Sequence, residues 1–91
     1  MPDFVPAEFT HGIEILNDNT TPMRFVVDVL SAHVGLNAED SNQTMLAIHK
    51  NGGALIPTLS LTEAERIAAQ ITAEAAKQGY PLKCRPVTIN P

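Results

Sequence analysis

The chain has 91 residues, enough for one small domain, and its core is thin for lack of area to bury. Hydrophobic residues make up 44% and charged residues 18%, with a net charge of −4 and no lysine or arginine cluster, which disfavours nucleic-acid binding. The single cysteine, Cys84, excludes an internal disulfide, and no apolar run approaches the roughly 20 residues that span a bilayer.

Residues 1–10 contain Pro2 and Pro6 without a clear period and are read as an arm, followed by one domain over residues 11–91. No export signal is visible in Met1 to Thr10, so a cytoplasmic location is expected. Gly12 to Asn17 alternates weakly through Ile13 and Ile15 and predicts a short strand. Asn17 to Pro22 is a dense turn signal. Pro22 suits the first position of a helix, with Thr21 as its cap; Met23, Val26, Val27, Leu30 and Val34 then follow at helical spacing up to Gly35.

A second helix is predicted from Asn37, its cap, to the stop at Gly52 and Gly53, with Glu39 and Asp40 in its first turn. Leu55 to Leu59 reads as a strand, and Pro57 places it at a sheet edge. Ser60-Leu61-Thr62-Glu63 is a capping-box pattern. It opens the clearest helix, Leu61 to Gln78, with Ala64, Ile67, Ala68, Ile71 and Ala75 along one face. Gly79 and Pro81 end it, and Leu82 to Ile89 predicts a last strand. The order is strand, helix, helix, strand, helix, strand.

Three segments carry the chemistry: Asn17-Asp18-Asn19-Thr20-Thr21-Pro22-Met23, Met45-Leu46-Ala47-Ile48-His49, and Pro81-Leu82-Lys83-Cys84. Met45, Ile48 and His49 share a helix face, giving an apolar wall rimmed by an imidazole. Such a wall suits a ligand with an apolar body and a polar end. Met23 and Met45 taken singly would be ordinary core filler, and Cys84 reads as a small buried hydrophobe.

Together and in this order, the three segments resemble the ClpS family, from about His11 to Pro86 and without gaps. The resemblance implies an α+β domain with a three-stranded antiparallel sheet and three helices (β-α-α-β-α-β), similar to the C-terminal domain of the ribosomal stalk protein. It implies an adaptor, not an enzyme, that recognises bulky hydrophobic N-terminal residues (N-degrons) and delivers the proteins bearing them to a Clp AAA+ ATPase–protease. The implied ligands begin with Leu, Phe, Tyr or Trp. No cofactor or metal, no nucleic acid and no membrane are implied, and a monomer is expected.

By position, the resemblance gives Asn17, Asn19 and His49, with Asp18 beside them, to the substrate amine. Thr21, Met23, Val26, Met45, Ile48 and Leu82 line the implied pocket. To accept a hydrogen bond from an ammonium, His49 must be neutral. Three positions depart from the family pattern. Asn19 stands for an aspartate and supplies an acceptor without charge. Ile48 stands for a valine and narrows the pocket. Thr62 and Ile67 fall where an acid and a base dock on the ATPase, leaving Glu63, Glu65 and Arg66 to form a shifted surface. The competing readings are a diverged interaction module of the same fold, and an enzyme using Asp18 and His49 as an acid–base pair. The enzyme has no nucleophile or metal cluster to work with.

Overall fold

The computed structural model describes residues 9–89; most of the expected arm, residues 1–8, lies outside the described residues. Three strands, β1 (His11–Leu16), β2 (Gly53–Thr58) and β3 (Lys83–Thr88), form an antiparallel sheet in the order β2-β1-β3. Helices α1 (Met23–Val29), α2 (Ala38–Asn51) and α3 (Leu61–Gln78) supply the rest. This is the α+β architecture that the resemblance implies, in the element order read from the sequence.

Period-2 alternation sorts the strand residues between two faces. Ile13 and Ile15 are fully buried under the helices, opposite Ile56 and Ala54 of β2 and Pro86 and Cys84 of β3. On the other face Glu14 lies opposite Arg85, whose Nε donates to its carboxylate at 2.8 Å. Gly12 faces Pro57, and the two backbones approach so closely that a Cβ at Gly12 would overlap the Ile56 carbonyl oxygen. Pro57 lies on β2, an edge strand, where its missing N–H breaks no ladder bond.

α3 runs over the expected residues because both ends are specified locally. Ser60 Oγ accepts the Glu63 backbone N–H at 3.1 Å, and Gly79 takes the left-handed conformation at φ 79°. Its buried stripe, Ala64, Ile67, Ala68, Ile71 and Ala75, packs on the sheet. α2 is capped as expected by Asn37 Oδ1, which accepts from the Asp40 N–H at 2.7 Å, and stops at Gly52 with φ 87°.

The first helix differs from expectation at both ends. Pro22 is extended (φ −63°, ψ 142°) and precedes the helix; its carbonyl accepts the Phe25 and Val26 N–H groups. Thr21 does not cap: its hydroxyl donates to Asp18 instead. At the other end the helix widens into a π-helical turn over Leu30–Val34 before Gly35 at φ 84°. Leu30 thereby stays fully buried, and its carbonyl accepts from both Gly35 and Leu36. The strands also shift by one or two residues from expectation: β1 begins at His11, β2 at Gly53, and β3 ends at Thr88.

Candidate functional site

The turn between β1 and α1 is organised by Asp18. Its Oδ1 accepts the backbone N–H groups of Thr20 (2.8 Å) and Thr21 (2.6 Å), and its Oδ2 accepts the Thr21 hydroxyl (2.8 Å). Partial burial pushes the Asp18 pKa up, but the Thr21 and Thr20 hydrogen bonds outweigh it and hold the pKa below the ordinary value of 3.8. Asp18 is therefore ionised at neutral pH. The Asn17 N–H donates to the Gly52 carbonyl at 3.0 Å, which fastens this turn to the C-terminal end of α2.

Between the turn, α1 and α2 lies a cavity of about 180 Å³. It is lined by Asn17, Asp18, Asn19, Thr21, Met23, Val26, Met45, Ile48 and His49. The floor is apolar: Val26 and Ile48 are 6% and 2% exposed and belong to the core, with Met45 packed against it. Met23, 46% exposed, stands at the mouth. The side chains of Asn17, Asn19 and His49 have no hydrogen-bond or ion-pair partner among the described residues, and all three are exposed. The mouth thus offers three uncommitted acceptors beside one carboxylate. The chemistry is that of holding a cation above an apolar side chain. A cavity of about 150 Å³ can hold a benzene-sized group, so this one suits a single large side chain.

The structure brings together all the residues expected at the amine and all those expected in the pocket except Leu82. Leu82 is 4% exposed and packs in the core, outside the cavity's lining. On α3, Thr62 and Arg66 are exposed and Glu63 is partly exposed, but Ile67 is 2% exposed and faces the core. Ile67 is therefore corrected from a docking position to a packing one: the apolar stripe that includes it is what holds α3 on the sheet. Arg66 also bonds along its own helix to Gln70 at 3.2 Å.

Two features were not assigned from sequence. His33 Nε2 lies 2.8 Å from Glu74 Oε2 and links the π-turn to α3; 41 residues of separation hide this pairing from local pattern reading. Phe25 and Tyr80 stack edge to face, with centroids 4.9 Å apart. Cys84 is a buried free thiol whose pKa is pushed up to about 12 by burial, as suits a packing residue. No group of side chains suited to hold a metal ion occurs among the described residues, and no described helix is long and apolar enough to cross a membrane.

The family model for ClpS, the ATP-dependent Clp protease adaptor protein, matches residues 8–85. The ATP-dependent Clp protease adapter protein ClpS of Roseobacter denitrificans is 41% identical over 74 residues, which cover 81% of this chain and 66% of that protein. The protein of the same name from Methylococcus capsulatus is 39% identical over 74 residues, 81% of this chain and 70% of its own length. The chain thus spans about two thirds of the length of these relatives. Among solved structures, Agrobacterium tumefaciens ClpS2 bound to L-phenylalaninamide superposes with a TM-score of 0.83 at 25% identity, covering 90% of this chain and 99% of that one. The family model over residues 8–85, the relatives at 41% and 39% identity and the shared fold agree: the chain belongs to the ClpS family.

Proposed function

We propose that this chain is an adaptor that holds the N-terminal residue of another protein and presents that protein to a Clp AAA+ ATPase–protease. The observation that carries the reading is the pairing of an apolar cavity with uncommitted acceptors at its mouth. The side chain of a Leu, Phe, Tyr or Trp would enter between Val26, Met45 and Ile48. The α-ammonium would stay at the mouth beside Asn17, Asn19 and His49, in the field of Asp18. L-Phenylalaninamide, the ligand of the A. tumefaciens relative, has this form: a free amine, an aromatic side chain and an amide where a chain would continue.

Burying such a side chain contributes roughly 1.5–3 kcal/mol. Each hydrogen bond to a charged group adds about as much again. Together these reach micromolar affinity when the site is preorganised, and the tie between Asn17 and Gly52 favours that. Recognition needs no catalysis. The acid–base alternative is weakened because both Asp18 oxygens are engaged in the turn. The setting would be the cytoplasm, with a monomer as the working unit. ATPase docking would fall to the exposed part of α3 around Thr62, Glu63 and Arg66.

The test is a fluorescence anisotropy titration of a labelled Leu-initiated peptide at pH 7.5, beside its N-acetylated twin. Micromolar binding that acetylation abolishes is expected. Equal binding of both peptides would sink the amine site.

The burial of Ile67 favours a second reading, an interaction module with a changed partner, because the resemblance places a docking charge there. Pull-down of the purified chain against a Clp ATPase N-terminal domain separates the two. Capture supports the adaptor; its failure, with peptide binding intact, supports the changed partner.

A further inference from the structure

We propose that His33 and Glu74 form a proton-operated clasp that holds the end of the first helix against α3 at mildly acidic pH and loosens as the solution turns alkaline. The clasp involves no ligand and does not depend on the adaptor reading. The segment it holds is weakly specified by its own sequence. α1 is seven residues long, has no side chain capping its N-terminus and contains the β-branched Val26, Val27 and Val29. Its continuation over Leu30–Val34 takes the rare π geometry. His33 stands in the last turn, and its Nε2 lies 2.8 Å from Glu74 Oε2 of α3, 41 residues away in sequence. α1 also supplies Met23 and Val26 to the cavity wall, so the clasp bears on how firmly that wall is held.

Two features of this place favour a charged imidazole. One is the Glu74 carboxylate. The other is the helix C-terminus, whose unpaired carbonyls attract a cation. The two side chains are 21% and 44% exposed, so water screens the pair without separating it. The charged groups nearest along the elements packed against the π-turn are Asp28 on α1, Glu39 and Asp40 at the start of α2, and Glu74 and Lys77 on α3. Among the described residues only Glu74 pairs with His33. Imidazole is the side chain whose charge changes between pH 5 and 8. Only the folded chain gives the imidazolium this carboxylate, so protonation and folding favour one another. The clasp therefore contributes most at the acid end of that range. Its contribution falls as pH rises and the ion pair becomes a neutral donor on a carboxylate.

The test is a double-mutant cycle in urea at pH 5.5 and pH 8.0, on the full chain, His33→Gln, Glu74→Gln and the double variant. Both sites are partly exposed and both substitutions keep a polar side chain, so all four proteins should fold. At pH 5.5 each single substitution should raise the unfolded-to-folded ratio about two- to fivefold, and the double variant no further. At pH 8.0 the coupling should fall below about 1.5-fold. A second readout places the effect in the π-turn. The Gly35 and Leu36 amides both donate to the Leu30 carbonyl. Their protection from hydrogen exchange, corrected for intrinsic rates, should be greater at pH 5.5 than at pH 8.0 in the parent chain, and the difference should vanish in Glu74→Gln. Single effects that simply add at pH 5.5, coupling equal at the two pH values, or amide protection indifferent to Glu74→Gln would each overturn the clasp.

Discussion

Asp18 Oδ1 accepts the Thr21 backbone N–H at 2.6 Å while Oδ2 accepts the same residue's hydroxyl at 2.8 Å, so one carboxylate clamps both ends of a single threonine. The clamp shapes the turn that carries Asn17 and Asn19. Asp18→Ala removes three acceptor interactions. It should cost about 1–2 kcal/mol, as loss of a helix-entry cap does. It should weaken peptide binding in parallel. Urea denaturation and anisotropy check the two effects, and an unchanged unfolding midpoint would count against the clamp.

The same carboxylate gives stability an acid limb. Its pKa in the folded chain lies below the ordinary 3.8, whereas in the unfolded chain it returns to about 3.9. A carboxylate depressed by folding contributes stability that is fully present above the unfolded value. That contribution disappears as pH falls through the folded one. Melting temperatures measured from neutral pH down to strong acid should therefore decline below about pH 4. The decline should be shallower in Asp18→Asn, which keeps the shape and has no proton to bind. Identical acid limbs would show that other carboxylates dominate.

Asn19 lines the cavity with an amide where a carboxylate would pair with the ammonium. Asn19→Asp should tighten binding of a Leu-initiated peptide roughly fivefold, about 1 kcal/mol, because charge-assisted hydrogen bonds are the stronger kind. The gain should shrink in high salt. Affinity equal to that of the parent chain would place Asn19 outside the amine's reach.

Ile48 serves the core and the cavity at once, at 2% exposure. Ile48→Val should cost about 0.5–1.5 kcal/mol of stability. It should also widen the floor, raising affinity for Phe-initiated peptides relative to Leu-initiated ones. Competition anisotropy with the two peptides measures the ratio. A ratio unmoved by the substitution would mean that Met45 and Val26 set the width.

Cys84, with its thiol pushed up to about 12, should resist a disulfide reagent at pH 8 in the folded chain and react promptly in guanidinium chloride. Fast reaction of the folded chain would reveal frequent opening between α3 and β3.

The parts of this fold that announce themselves in sequence are those specified by neighbours. Ser60, Glu63 and Gly79 delimit α3 by contacts three residues long or by a single left-handed φ, and Asn37 and Gly52 do the same for α2. The π-turn after α1 kept the apolar spacing of an ordinary helix, so nothing local marked it. Thr21 and Asp18 both carried capping oxygens within one short turn. The chain's path decided that the two meet, with the Asp18 carboxylate accepting from Thr21 and leaving the Thr21 hydroxyl unable to cap the helix. Ile67 shows two lines of reading in conflict. Its period put it on the apolar stripe, its place in the resemblance put it at a docking surface, and burial follows the period. Nine of the ten positions named from sequence meet at one cavity, because the turn and the face of α2 that build it are each contiguous motifs. Leu82 comes from a third segment, whose approach depends on the whole sheet, and it lies outside the lining of this cavity.

The hydrogen bond from the Asn17 N–H to the Gly52 carbonyl has a kinetic consequence. It ties the two acceptor-bearing segments together where the central strand ends, so opening this edge of the cavity's mouth requires breaking it. A ligand whose exit needed that edge to part would leave no faster than the bond breaks. The Asn17 amide proton is the natural clock for that edge: its exchange with solvent times how often the two segments part.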